Sequence, residues 1–143
     1  MAATVQQILQ NKGGSTYSVA PESTVLQALQ LMADKNVSAV LVMEGQRLVG
    51  IFTERDYARK VELQGRSADT TRLGDIMTAD VLFVTPANTA QDCMALMTDK
   101  HLRHLPVMEA GKLVGLISIG DLVKDIISEQ QYLIAQLESY IRS

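Results

Sequence analysis

Two seven-residue stretches of this 143-residue chain carry the side chains best suited to chemistry. They read Gly50-Ile51-Phe52-Thr53-Glu54-Arg55-Asp56 and Gly115-Leu116-Ile117-Ser118-Ile119-Gly120-Asp121. The shared pattern is a glycine, two apolar residues, a hydroxyl and, three places on, a carboxylate. A hydroxyl followed at that spacing by an acid is a helix start, in which both groups satisfy free amides of the first turn for about 0.5–2 kcal/mol. A structural reading is therefore sufficient by itself. Three features add a functional one. Glycine inside an apolar run weakens a strand and often marks the close approach of another group. A helix N-terminus with a hydroxyl is a ready anion site. A carboxylate one turn in can accept both hydroxyls of a ribose, as an acid does in dinucleotide folds. The chemistry within reach is recognition of a sugar phosphate rather than bond making.

The two stretches belong to a duplication. Residues 21–56 reappear as 86–121 at a constant offset of 65, with 13 identities in 36 positions, where composition alone gives roughly two or three. Pro21/Pro86, Thr24/Thr89, Asp34-Lys35/Asp99-Lys100 and Leu48-Val49-Gly50/Leu113-Val114-Gly115 are among the matches. A duplicated unit of this size has to bury its apolar face, so the copies are expected to pack about a pseudo-two-fold axis.

Each copy reads as strand, helix, strand, strand, helix. In the first, a short apolar piece at Tyr17–Val19 precedes Pro21, with Ser23 as the expected N-cap of a helix bearing Val25, Ala28, Leu29 and Met32. A hairpin over Ser38–Met43 and Arg47–Thr53 then runs into the Thr53–Asp56 helix start. The second copy repeats this with Asn88 as cap and strands at His104–Met108 and Lys112–Ser118. Leu73-Gly-Asp-Ile76-Met77 echoes Val5-Gln-Gln-Ile8-Leu9 at an offset of 68. The expected domains are 1–65 and 73–128, joined by a polar linker at 66–72 and followed by a C-terminal helix over 129–143. Val123, Ile127, Ile134, Leu137 and Ile141 form a 4-3-4 apolar stripe interrupted at Gln130. That stripe serves either to cover the N-terminal segment through Val5, Ile8 and Leu9 or to form a homodimer. Both readings stay open.

Composition excludes several classes. Net charge is −3 with no basic block, and four Tyr and two Phe supply no stacking platform, so no nucleic-acid partner is expected. No apolar run approaches a membrane span and the first ten residues lack a signal-peptide pattern. A single cysteine, Cys93, fits a reducing cytoplasm and a small core position. His101 and His104 lack the carboxylates or cysteines that would complete a metal set, so no metal is expected. No nucleophile-base order or phosphate loop stands out, and no enzymatic activity or catalytic residue is expected.

With these motifs in place, the chain resembles the tandem cystathionine-β-synthase (CBS) domain pair, the Bateman module, from about Val5 to Ile127. Asp75-Ile76-Met77-Thr78 with Val84-x-Pro86, Arg103-His104-Leu105-Pro106-Val107, and the two glycine-to-aspartate stretches carry the likeness. The resemblance implies an α/β (α+β) fold of two β-α-β-β-α repeats, packed through their sheets, with extra terminal helices. It implies a regulatory module that binds AMP, ADP, ATP or NAD(H), or in some members S-adenosylmethionine, in the cleft between repeats. Carried over by motif, Asp56 and Asp121 hold ribose hydroxyls while Thr53 and Ser118 contact phosphate. The backbone at Val37, Ser38 and Ala39 and at Leu102, Arg103 and His104 faces adenine, with Thr16, Tyr17, Ala79 and Val81 closing over the base. Positive charge is expected from Arg55 or Arg59 in the first copy and from His101, Arg103 or His104 in the second. Pro106 matches the family's basic-then-proline pattern; Leu41 stands in its place in the first copy. The expected partners are the nucleotide, a second copy and an unidentified protein target. The alternative is a dimeric interaction scaffold without a nucleotide.

Overall fold

The computed structural model of the protein describes residues 3–142. In chain order the elements are α1 (Val5–Lys12), β1 (Ser18–Val19), α2 (Val25–Lys35), β2 (Ala39–Glu44), β3 (Arg47–Thr53) and α3 (Glu54–Asp56). A π-helical turn, Tyr57–Glu62, follows directly. Then come α4 (Leu73–Ile76), α5 (Ala90–Lys100), β4 (His104–Glu109), β5 (Lys112–Ser118) and α6 (Ile119–Arg142). The fold is mixed α/β. One sheet has the order β1-β2-β3, with β1 parallel and β3 antiparallel to β2; the other is the β4-β5 pair.

Two compact units result, and they cut across the repeats. One comprises residues 15–82 with 110–113; the other combines the segment through Gly14 with 83–109 and the chain from Val114 onward. The cause is an exchange of leading segments. The first amides of α4 donate to the first copy: Leu73 N–H to Ser23 O at 2.9 Å and Gly74 N–H to Pro21 O at 2.9 Å. The first amides of α1 make the equivalent bonds to the second copy, Val5 N–H to Asn88 O at 2.8 Å and Gln6 N–H to Pro86 O at 3.0 Å. Each unit has its own core. Val25, Met32, Val42, Phe52, Val61 and Leu73 lead the first; Val5, Met97, Leu105, Ile117 and Leu122 lead the second. The linker is fastened down rather than loose: Val25 N–H donates to Thr71 O and Leu26 N–H to Ala68 O.

Several expectations need correction. The helix caps are Thr24 and Thr89, one residue later than Ser23 and Asn88, because each threonine finds a partner at the third helical position (Gln27, Asp92) and closes a capping box. Asn88 is spent on the turn before it, its Oδ1 accepting from Thr85 N–H at 2.8 Å. The second copy lacks a counterpart of β1. Leu41 N–H donates to Tyr17 O at 2.9 Å, but the equivalent position holds Pro106, which has no N–H. A rung is lost, and only the Val84–Val107 bridge remains. The first copy's closing helix is a single α turn continued as a π turn. The second copy's closing helix and the tail form one 24-residue helix without a break at 128, since Ser128-Glu129 holds no Gly or Pro to stop it.

Candidate functional site

Each acid-bearing turn is built by a strand that ends in a capping box. Thr53 and Ser118 close β3 and β5 in extended conformation, and the helix starts at the next residue. Asp56 Oδ2 accepts Thr53 N–H at 3.0 Å and lies 3.2 Å from the Thr53 hydroxyl, while Asp56 N–H donates to Thr53 Oγ1 at 3.1 Å. In the second copy, Asp121 Oδ2 accepts Ser118 N–H at 2.8 Å and Asp121 N–H donates to Ser118 Oγ at 3.2 Å. The structural reading of the motif is thus realised in full, twice.

A lysine reaches each acid. Lys60 Nζ lies 3.3 Å from Asp56 Oδ1 and 3.1 Å from Thr78 Oγ1, and that hydroxyl donates to Asp56 Oδ1 at 3.3 Å. Lys12 Nζ lies 2.5 Å from Asp121 Oδ2 and donates to Leu116 O at 2.8 Å. The carboxylate side chains are 13% and 20% exposed, so both remain reachable from solvent at an edge. Burial pushes the Asp121 carboxyl up, but Lys12 and the Ser118 amide act harder in the other direction and hold it below its ordinary 3.8. Burial, joined by the Lys12 and Arg103 cations, holds His104 below its ordinary 6.5 against the pull of Asp121. Neither Lys12 nor Lys60 is among the residues singled out from the sequence, which point instead to Arg55, Arg59, His101, Arg103 and His104. The Asp56–Lys60 spacing of four on one helical run was legible; Lys12, 109 residues from Asp121, was not.

The glycines have a structural reason. A Cβ on Gly50 would stand 2.5 Å from Met77 Sδ and 3.1 Å from Thr78 O; one on Gly115 would stand 2.7 Å from Leu9 Cδ2. The close approach is made by each unit's own leading segment, not by a ligand. That removes one of the three functional arguments for the motif.

The remaining residues fall into the two units. In the first, Glu54 N–H donates to Ser38 O at 3.1 Å, which ties the expected adenine edge to the acid-bearing turn. Val37 and Ser38, with Leu29, Met32, Ala33, Asn36 and Glu54, line a cavity of about 320 Å³. Ala39 is buried opposite Thr53 in the sheet. Tyr17 packs on the core, its ring 5.6 Å from Lys35 Nζ, beside half-buried Thr16. Ala79 is exposed and accepts from Val81 N–H, directly after Thr78; Arg55 and Arg59 are exposed. In the second unit, Ile119 N–H donates to Arg103 O at 2.9 Å, the same tie. His101 caps α5 in the left-handed region at φ 56°, Leu102 and His104 are half-buried, Arg103 is exposed and Pro106 is buried. Asp121 and Lys12 line a smaller cavity of about 200 Å³ with Ile8, Asn11, Lys124, Asp125 and Ser128. Cys93 is fully buried and its thiol is pushed up to about 11 by burial, as a core residue requires. Among the described residues, no group of three or more His, Cys, Asp or Glu side chains is placed to hold a metal ion, and no helix is long and apolar enough to cross a membrane.

A strand-to-helix acid turn built twice on two small sheets defines a tandem α/β module. The family model for the CBS domain matches residues 15–63 and 73–128, and the chain belongs to that family as a tandem CBS pair. Among its relatives, the mitochondrial CBS domain-containing protein CBSX3 of Arabidopsis thaliana is 38% identical over 99% of this chain and 73% of its own. A CBS-domain protein of Burkholderia ambifaria MC40-6 superposes with a TM-score of 0.86 at 52% identity, covering 90% of this chain and 96% of its own. The CBS pair of protein MJ0100, solved with 5′-methylthioadenosine and S-adenosyl-L-methionine, shares the fold at a TM-score of 0.80 and 19% identity, over 90% of this chain and 99% of its own. A mitochondrial relative means that one cysteine does not fix the compartment.

Proposed function

We propose that the protein is a regulatory sensor, not an enzyme, in which the acid-bearing turns take up an adenosine-containing ligand such as AMP, ADP, ATP or NAD(H). In this reading Asp56 and Asp121 accept ribose hydroxyls, and Thr53 and Ser118 meet phosphate at the helix starts. Ser38 and Arg103 offer backbone at the base edge. The carrying observation is the repeated tie: in both units the residue expected beside adenine is hydrogen-bonded to the first residue of the acid's helix. Lys60 and Lys12 join the site as the cations nearest each acid, able to turn toward phosphate when a ribose takes their place. The ligands of the MJ0100 pair support the reading at the level of what this fold accommodates.

The test is calorimetry with AMP, ATP, NAD and S-adenosylmethionine on the native protein, Asp56→Asn and Asp121→Asn. Asparagine keeps one oxygen for the cap but loses the charged pair to ribose. A loss of roughly 1.5–3 kcal/mol per site is expected, about ten- to 150-fold in affinity. A ligand at 100 times its dissociation constant should stabilise the fold by about 2.7 kcal/mol. Unchanged affinity in both variants, or no stabilisation by any of the four, would overturn the reading.

One observation favours a second reading, a self-associating scaffold: both acids are already fully engaged in capping and lysine pairing. It requires that the Asp→Asn variants change stability by cap-sized amounts and nothing else.

A further inference from the structure

The groove between α1 and α6 holds charge that recognition of a nucleotide leaves unused. It lies within one unit, has a volume of about 200 Å³ and includes the buried side chain of Ile8. The Lys12–Asp121 pair forms one part of its lining. Lys124, Asp125 and Ser128 continue it along α6, and Asn11 completes it from α1. Lys124 and Asp125 differ from the pair beside them. Among the described residues, neither side chain makes a hydrogen bond or ion pair, with the other or with any neighbour. Asp125 is nevertheless half-buried, and a carboxylate withdrawn from water without a partner is costly. An ammonium and a carboxylate that share a groove but do not meet leave room for a molecule between them.

Charge and size define that molecule. Two ammoniums and two carboxylates line the groove, so its net charge is zero. A metal ion would meet two lysines there, and a phosphate two acids. A molecule with one charge of each sign finds an opposite partner at both ends. A cavity of about 150 Å³ accepts benzene with its six heavy atoms, so this groove suits a molecule of roughly eight. We propose that it is a site for a small free α-amino acid, the ammonium on Asp125 and the carboxylate on Lys124. Asn11 and Ser128 can donate to the carboxylate or accept from the ammonium. Lys12 has three donor hydrogens, two of them directed at Asp121 and the Leu116 carbonyl, and offers the third to the carboxylate. A short aliphatic or hydroxyl side chain then rests on Ile8. The site keeps the Lys12–Asp121 pair intact, so it does not depend on a nucleotide displacing that lysine.

NMR titration of the full chain with L-alanine, L-serine, L-threonine and L-valine tests it, with propionate and isopropylamine as probes that carry one charge each. At least one amino acid should produce saturating shifts at Ile8, Asn11 and Ser128. The single-charge probes should bind at least about tenfold more weakly, having lost one charged hydrogen bond. Lys124→Met and Asp125→Asn should each lower the affinity by about ten- to 150-fold. Both should stay folded by circular dichroism, because neither side chain has a partner among the described residues to lose. Absence of saturating shifts with all four amino acids would overturn the proposal. So would shifts confined to other regions, equal binding of propionate or isopropylamine, or undiminished affinity in either variant.

Discussion

The turns at Asp56 and Asp121 are copies that came to hold their acids by different means. Asp56 draws its cation from its own helical run, Lys60, and its extra hydroxyl from Thr78, on a segment paired with β3 through Ile51. Asp121 draws its cation from α1, far away in sequence, and the same lysine holds the Leu116 carbonyl. Where the first unit has a two-way backbone bridge between Ile51 and Thr78, the second has one ammonium at the corresponding carbonyl. Duplication preserved the turn and left its support free to diverge. The strand carbonyl at Ile51 meets a backbone amide, and the one at Leu116 meets a side chain.

That contrast can be broken by substitution. Gly50→Ala drives a methyl against Met77 and the Thr78 carbonyl, which cannot move without disturbing the Ile51 bridge, and should cost about 2–3 kcal/mol. Gly115→Ala meets only the flexible end of Leu9 and should cost about 1 kcal/mol. Urea unfolding midpoints measure both, and equal costs would remove the distinction. Next in size, Lys12→Met should destabilise by about 1–2 kcal/mol, because it strips two partly buried acceptors of a charged donor. Lys60→Met, whose ammonium stands farther from its acid at 3.3 Å, should cost no more than about 0.5 kcal/mol. A reversed order would show that the long-range lysine is incidental.

The smallest effect is on pH dependence and belongs to the second unit. His104 stands where the first copy has Ala39. Its folded-state value lies below the ordinary 6.5, so the unfolded chain takes up the proton first. The destabilisation from this histidine is therefore absent above about pH 6.5 and grows as pH falls below it. Asp121, held below 3.8, acts with the same sign at lower pH: its contribution is present above that value and lost beneath it. His104→Gln should flatten the first decline and leave the second. A variant that still declines as steeply between neutrality and pH 5 would assign that dependence elsewhere.

The repeat offset, the hairpins and the acid turns were legible because they rest on local patterns: alternating apolar residues, a glycine-bearing turn, a hydroxyl three places before an acid. The caps were misplaced by one residue, since Ser23 and Asn88 are good caps taken alone and only the partners at Gln27 and Asp92 show that Thr24 and Thr89 are used. The missing second β1 was readable in principle, because Pro106 removes the amide that Leu41 supplies. Lys12 beside Asp121 was not readable, as no local pattern joins residues so far apart. The same holds for Gly50 and Gly115: the strand positions were clear, but the groups pressing on them come from the exchanged segments.

That exchange has a consequence for how the chain acquires its structure. The core around Phe52 and Leu73 is drawn entirely from residues 17–77, so it is complete once that stretch has left the ribosome. The core around Leu105 needs Val5 and Ile8 together with Leu122, so α1 must wait through most of synthesis for its seat. Loop closure over such a span is entropically slow. Pulse-labelled hydrogen exchange during refolding should protect amides of α2 and β3 before those of α1, and simultaneous protection would show instead that both units form in one step. The core around Phe52 thus settles first, and α1, made before that core, finds its seat only after it.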